Sequence, residues 1–144
     1  MGPDFQGVSR LQFFEQLGRS AVARLKQLLA VFGGAFGDRA TYQDAVPREA
    51  YLESFLADER CVTVVAMDGD EAIGGLVAYE LIKFEQERKE FYIYDLAVRE
   101  VHRATAVATG LIVTLKAIAR THGAYVIHVQ ADRGVLHFDI DPDK

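Results

Sequence analysis

The residues best equipped for chemistry gather in Phe91–Gly110, FYIYDLAVREVHRATAVATG. Asp95 interrupts an otherwise apolar strand there. A carboxylate in such a run is costly unless it is paired or used. It can orient an amine or accept its proton, directly or through water; the plainer alternative is a strand-end aspartate bonded to nearby backbone. Tyr94 either shapes the same site or packs as a half-buried ring, and strand alternation predicts that it faces away from Asp95. Downstream, Arg103 precedes the small residues Ala104, Thr105, Ala106, Val107 and Ala108 at the start of a helix. A strand feeding a helix through such a loop aims backbone N–H groups at an anion. The helix dipole adds about 0.3–1 kcal/mol, and Arg103 offers a charge-assisted hydrogen bond. Taken alone, the same pattern is an ordinary helix start.

Further acidic residues could face a cation. Asp139 and Asp141 lie two apart on a final strand and so share a face. They read equally well as charges that keep an edge strand from pairing. Glu80 and Glu85 are weaker candidates, and EQERKE (85–90), which contains Glu85, reads as a solvated turn. The histidines, at 102, 122, 128 and 137, show no ligand spacing, so no metal is expected. His128 and His137 could face each other across a hairpin. Cys61, at a strand start, reads as a small buried residue rather than a nucleophile.

The elements that must position these groups follow from periodicity. A strand is expected over 8–14. Ser20 reads as the cap of a helix whose face carries Val22, Leu25, Leu29, Phe32 and Phe36, stopping at Gly37-Asp38. A polar connection over 41–46 leads to Pro47, a good first helical residue, and to Tyr51, Leu52, Phe55 and Leu56 on one face of a second helix. Strands over 61–67, 72–84 and 91–98, joined by tight polar turns, form an antiparallel meander. Gly74 and Gly75 mark a bulge or a close backbone approach. A helix over 105–121, ended by Gly123, and a strand over 124–130 complete a parallel βαβ unit. A last strand over 135–141 pairs antiparallel with it. The fold class expected is α/β, of the α+β kind, with a mixed sheet: meander, parallel βαβ unit, terminal antiparallel strand.

The chain has 144 residues, which suits one domain over 1–144. Net charge is −5, against a nucleic-acid surface and compatible with a cationic small molecule. No apolar run approaches the ~18–20 residues that cross a bilayer, and residues 1–10 do not read as a secretory signal. With Cys61 the only cysteine, no intrachain disulfide forms, and the cytoplasm is the expected location.

The order helix–helix–meander–βαβ resembles the GNAT acetyltransferases. FGDRATYQ (36–43), KFEQ (83–86), EFYIYDLAV (90–98), GAYVIHVQAD (123–132) and HFDIDP (137–142) resemble their aminoglycoside 3-N-acetyltransferase branch. The resemblance implies acetyl transfer from acetyl-CoA to the 3-amino group of an aminoglycoside antibiotic, giving resistance. It implies pantetheine pairing with the backbone of Leu96, Ala97 and Val98, and a pyrophosphate resting on Arg103–Ala108. It also implies Asp95 and Tyr94 as catalytic residues, Asp139, Asp141, Glu80 and Glu85 toward the substrate, and a homodimer as one candidate assembly.

Two departures stand out. Ala106 replaces the glycine usual in the pyrophosphate loop, which costs roughly 1 kcal/mol or more if positive φ is needed there. After QAD, the family has another helix, often carrying a tyrosine that protonates the leaving thiolate. Here only Arg133-Gly134 separates Asp132 from Val135, so no general acid is assigned. Two alternative functions follow: a GNAT enzyme acting on another amine, such as a polyamine or peptide, and a GNAT-like binding module without catalysis.

Overall fold

Alternation along the valine-rich strands decides the layers. Val62, Val64 and Ala66 face one side, whereas Val65 and Met67 face the other, and all are buried. A sheet apolar on both faces needs helices on both. The computed structural model describes residues 12–102, 106–131 and 134–140. In chain order the elements are β1 (Gln12–Gln16), α1 (Val22–Phe36), α2 (Arg39–Tyr42), α3 (Glu49–Ala57), β2 (Cys61–Asp68), β3 (Glu71–Ile82), β4 (Lys89–Val98), a 3₁₀ turn (Glu100–His102), α4 (Val107–Thr121), β5 (Val126–Ala131) and β6 (Gly134–Asp139).

The strands form one six-stranded sheet in the order β1-β2-β3-β4-β5-β6. Every neighbouring pair is antiparallel except β4 and β5, which are parallel. This is the mixed α/β architecture expected from the sequence. Leu111 and Leu115 of α4 are fully buried on one face; Leu28 of α1 and Leu52 of α3 are buried on the other. Each such leucine contributes about 1.5–3 kcal/mol of burial. Among the described residues no helix is long and apolar enough to cross a membrane.

Local details differ from the periodicity. The cap position of α1 is Ala21 rather than Ser20, and it has no side-chain capping bond. Its buried line runs through Leu28 rather than Leu29, and Phe36 is largely exposed, stacked on Phe32 at 5.6 Å. The connection over 41–46 is partly helical: Asp38 caps α2 by accepting from the Thr41 N–H at 3.2 Å. Pro47 stands before α3 rather than opening it, and Tyr51 is exposed. The third strand ends at Ile82 and leaves Phe84 in solvent. In the expected 8–14 strand, residues 8–11 lie outside the described residues.

Gly75 is a close approach. A Cβ there would lie 2.5 Å from Leu28 Cδ1 and 2.8 Å from the Val64 carbonyl oxygen. The backbone oxygen cannot move aside as a side-chain tip can. Gly75→Ala is therefore expected to lower stability by about 1–3 kcal/mol. Urea unfolding measures this, and an unchanged midpoint would show that α1 moves off the sheet without cost.

Candidate functional site

Strand β4 carries one extra residue. Val77 pairs with Asp95 but Ala78 pairs with Ile93, so Tyr94 has no opposite number on β3. Such a bulge breaks alternation locally. Phe91 and Ile93 face α4, and so do Leu96 and Val98, whereas Ala97 faces α1 and α3. The bulge turns Tyr94 and Asp95 together toward the α1–α3 face. The contacts agree: Tyr94 meets Tyr79 on that face, and Asp95 bonds Tyr42 of α2. The alternation that placed Tyr94 opposite Asp95 is thus corrected by this one inserted residue.

Asp95 is half-buried and accepts a 2.8 Å hydrogen bond from the Tyr42 hydroxyl. Tyr42 is held by rings. It lies 5.8 Å from Phe32 and 5.6 Å from Phe36, and its own helix packs on α1 at Gly33, where Gln43 occupies the space of a side chain. Burial pushes the Asp95 carboxyl above its usual range, and the Tyr42 bond pulls it back down. Burial, then the bond to Asp95, raise the Tyr42 phenol well above its usual range, so it stays a donor. Sequence reasoning missed Tyr42. Its signal lay in the segment FGDRATYQ, where Asp38 caps the short helix that presents it.

From this carboxylate a row of rings crosses the sheet. Phe55 meets Tyr79 at 6.3 Å, Tyr79 meets Tyr94 at 5.6 Å and Tyr94 meets Tyr92 at 6.3 Å, all edge-on. Tyr92 meets His128 at 5.1 Å, and His128 meets His137 at 6.0 Å, as strand pairing brings all three level. Edge-on pairs add about 0.5–1.5 kcal/mol each beyond burial. Tyr94 is 60% exposed, so the row opens to solvent beside Asp95.

The other acidic candidates separate. Asp139 is exposed on the same face, level with Val126 and Glu90. Glu80 faces the opposite side at the far end of β3, where its carboxylate meets His122 Nδ1 at 3.2 Å and Lys89 Nζ at 3.5 Å. Glu85 pairs with Lys83 in the exposed turn. The structure does not bring Glu80 or Glu85 to Asp95. Asp141 lies outside the described residues. Burial raises the Cys61 thiol above its usual range, which leaves it a poor nucleophile. Among the described residues no cluster could hold a metal ion.

The β4–β5 ladder ends at Ile93–Val129, yet β4 runs on to Val98. The two parallel strands therefore part at the bulge, and Leu96, Ala97 and Val98 form the rim of the gap. Val98 and Ala97 are themselves core residues, so their backbone is what they can offer. At the other end of the gap, α4 begins at Val107 with no side-chain cap. Ala106 has φ −84°, not the left-handed region, so its methyl group carries no backbone strain. The first turn of an α-helix leaves backbone N–H groups without intrahelical partners, donors suited to an anion, and here that turn starts at Val107. These residues fit an extended thiol cofactor with a phosphate end. Arg103, Ala104 and Thr105 lie outside the described residues.

Known proteins share this fold. Residues 24–138 match the Acetyltransferase (GNAT) family. A crystal structure of an aminoglycoside acetyltransferase from an uncultured soil metagenomic sample is 48% identical, with TM-score 0.82, over 85% of this chain and 80% of that one. Another from an uncultured soil metagenomic sample, solved in complex with sisomicin, is 25% identical with TM-score 0.76, over 85% of this chain and 78% of that one. The ribosomal-protein-alanine N-acetyltransferase of Brucella melitensis biovar Abortus 2308 shares the fold at 20% identity, with TM-score 0.65, over 85% of this chain and 82% of that one. No curated protein matches.

The Tyr42 bond favours the charged form of Asp95. Removing it raises the carboxyl pKa further. Activity that needs the carboxylate is present above that pKa and lost as pH falls through it. In Tyr42→Phe the acid limb of the kcat/KM profile is expected to move to higher pH. A profile superposing on that of the unaltered protein would remove Tyr42 as a positioning residue.

Proposed function

The chain belongs to the acetyltransferase (GNAT) family, and from that premise we propose that it transfers acetyl from acetyl-CoA to the 3-amino group of an aminoglycoside, a reaction that gives antibiotic resistance. The observation that carries this reading is Asp95, turned by the bulge to the mouth of the β4–β5 gap and fixed by Tyr42. Similarity to a sisomicin-bound acetyltransferase supports the substrate class.

Acetyl-CoA supplies a thioester carbonyl. The residues of this chain do the rest. An alkylammonium, with a pKa near ~10 in water, must lose a proton before it attacks. Asp95 orients it and accepts that proton, directly or through water. The backbone rim at Leu96–Val98 holds the cofactor arm in line, and the first turn of α4 receives its phosphates. Tyr94, exposed beside Asp95, contacts the acceptor. Asp139 on the same face attracts the polycation, and Asp141 is proposed to add to it. The raised thiol of Cys61 favours direct attack over an acyl-enzyme.

A second reading rests on the β5–β6 hairpin. Ala131 pairs with Gly134, so no helix stands between these strands. A module that binds the acceptor without turning it over would look the same. CoA release with sisomicin separates the two: turnover above background supports transfer, and sisomicin binding without turnover supports the module.

Within the enzyme reading, Asp95→Asn is expected to lower kcat/KM by about 10²–10⁴-fold. It should not lower the melting temperature, because burial makes the charged Asp95 a cost to the fold at neutral pH. Full activity in this variant would end the assignment.

A further inference from the structure

The ring row extends beyond what acetyl transfer to one amine requires. Tyr92, His128 and His137 stand level on β4, β5 and β6, on the same face as Tyr94. Tyr94 links them to the Asp95 end of the row, and they finish at the sheet edge on β6. No helix separates β5 from β6, and α1 and α3 pack against β2, β3 and β4. The floor is aromatic, bordered by Asp95 at one end and the exposed Asp139 at the other. Ring faces and carboxylates together suit a saccharide that carries ammonium groups.

His128 is the unusual member. Its side chain is largely buried, and its Nδ1 is wholly buried with no hydrogen-bond partner among the described residues. Glu90 Oε1 lies 3.4 Å away without hydrogen-bond alignment. Glu90 is already engaged by Arg88 Nε at 2.8 Å. Arg88 and Glu90 pair, so a proton on His128 adds one positive charge to this corner.

We propose that the floor formed by Tyr92, His128 and His137 is the subsite for the part of a cationic saccharide acceptor that extends beyond the reacting amine, and that protonation of His128 closes it to polycations. The proposal rests on the aminoglycoside reading above and goes past it by naming where the remaining rings lie and what regulates their binding.

The groups facing His128 are few. From β4 come Tyr92 and Glu90, the latter backed by Arg88; from β6 come His137 and Asp139; from the 83–88 turn comes Lys83. Burial pushes His128 below the usual imidazole range; Glu90 opposes this, and His137 and Lys83 add to it. At neutral pH the ring is therefore uncharged and available for stacking. As pH falls through its lowered pKa it becomes a cation facing a polycation, and binding weakens. Asp95 also loses charge on acidification, in every variant that keeps it. A change at His128 alone isolates its share.

Calorimetric titration with sisomicin, without acetyl-CoA, between pH 7.5 and 5.0 tests this on the unaltered protein, His128→Phe and His128→Ala. His128→Phe keeps a ring and cannot be charged. It is expected to bind as the unaltered protein does at pH 7.5 and to weaken about tenfold less on acidification. His128→Ala loses the ring and is expected to bind about two- to tenfold more weakly at pH 7.5. Circular dichroism verifies folding, and His128→Phe carries the test if the alanine variant unfolds. Binding in both variants with the affinity and pH dependence of the unaltered protein overturns the subsite alone. No sisomicin binding by the unaltered protein overturns both the subsite and the aminoglycoside reading.

Discussion

One inserted residue in β4 governs the site. Without the bulge at Tyr94, strict alternation would send Asp95 into the α4 face among Ile93, Leu111 and Leu115, where a carboxylate has no partner. With it, Leu96 and Val98 regain the α4 core while Asp95 turns outward to Tyr42. The same residue coincides with the end of the β4–β5 ladder at Ile93–Val129. A bulge increases local twist, and beyond it the two parallel strands no longer pair with each other. The acid and the gap are thus two consequences of one irregularity. In the proposed reading, this is the point of the sheet at which a reacting amine and a cofactor arm meet.

The fold bears a cost for this arrangement. Asp95 is half-buried beside tyrosines, and burial disfavours its charge. A raised folded-state pKa means that stability is greatest with the carboxyl protonated and is lost as pH rises through that value. The Tyr42 bond recovers part of this, and the rings of Phe32 and Phe36 fix Tyr42. Tyr42 therefore serves two ends at once, lowering the penalty and fixing the direction of the acid. A water could satisfy the carboxylate equally well but would not fix its orientation.

The meander, the βαβ unit and the terminal hairpin were legible because valine-rich alternation, the Asp68-Gly69 turn and the Gly123 stop are local signals. Asp95 was legible because a charge in an apolar strand is conspicuous. Its face was not, since a bulge leaves no residue signature in YIYDLAV and can be seen only in the register against β3. Tyr42 was hidden for a different reason: its partner is 53 residues away. Glu80 misled because sequence shows a charge near a strand end but not which side it faces; β3 turns it to His122 and Lys89. Ala106 looked like a defect when judged against a glycine. At φ −84° it is an ordinary residue before a helix.

The short connection between β5 and β6 changes how selectivity can arise. Closing a loop of two residues costs little entropy, and the pairs from Ala131–Gly134 to Val126–Asp139 keep the hairpin in register. What is given up is a wall. A walled pocket can discriminate by shape, because a wrong substrate collides or leaves polar groups unpaired. An open sheet face cannot; it must discriminate by charge, by ring stacking and by the geometry of the reacting amine. In the proposed reading those resources are Asp95 and Asp139 around a floor of tyrosine and histidine. Charge recognition is also the kind that protons can switch off, and the role proposed for the buried His128 in that floor follows from this.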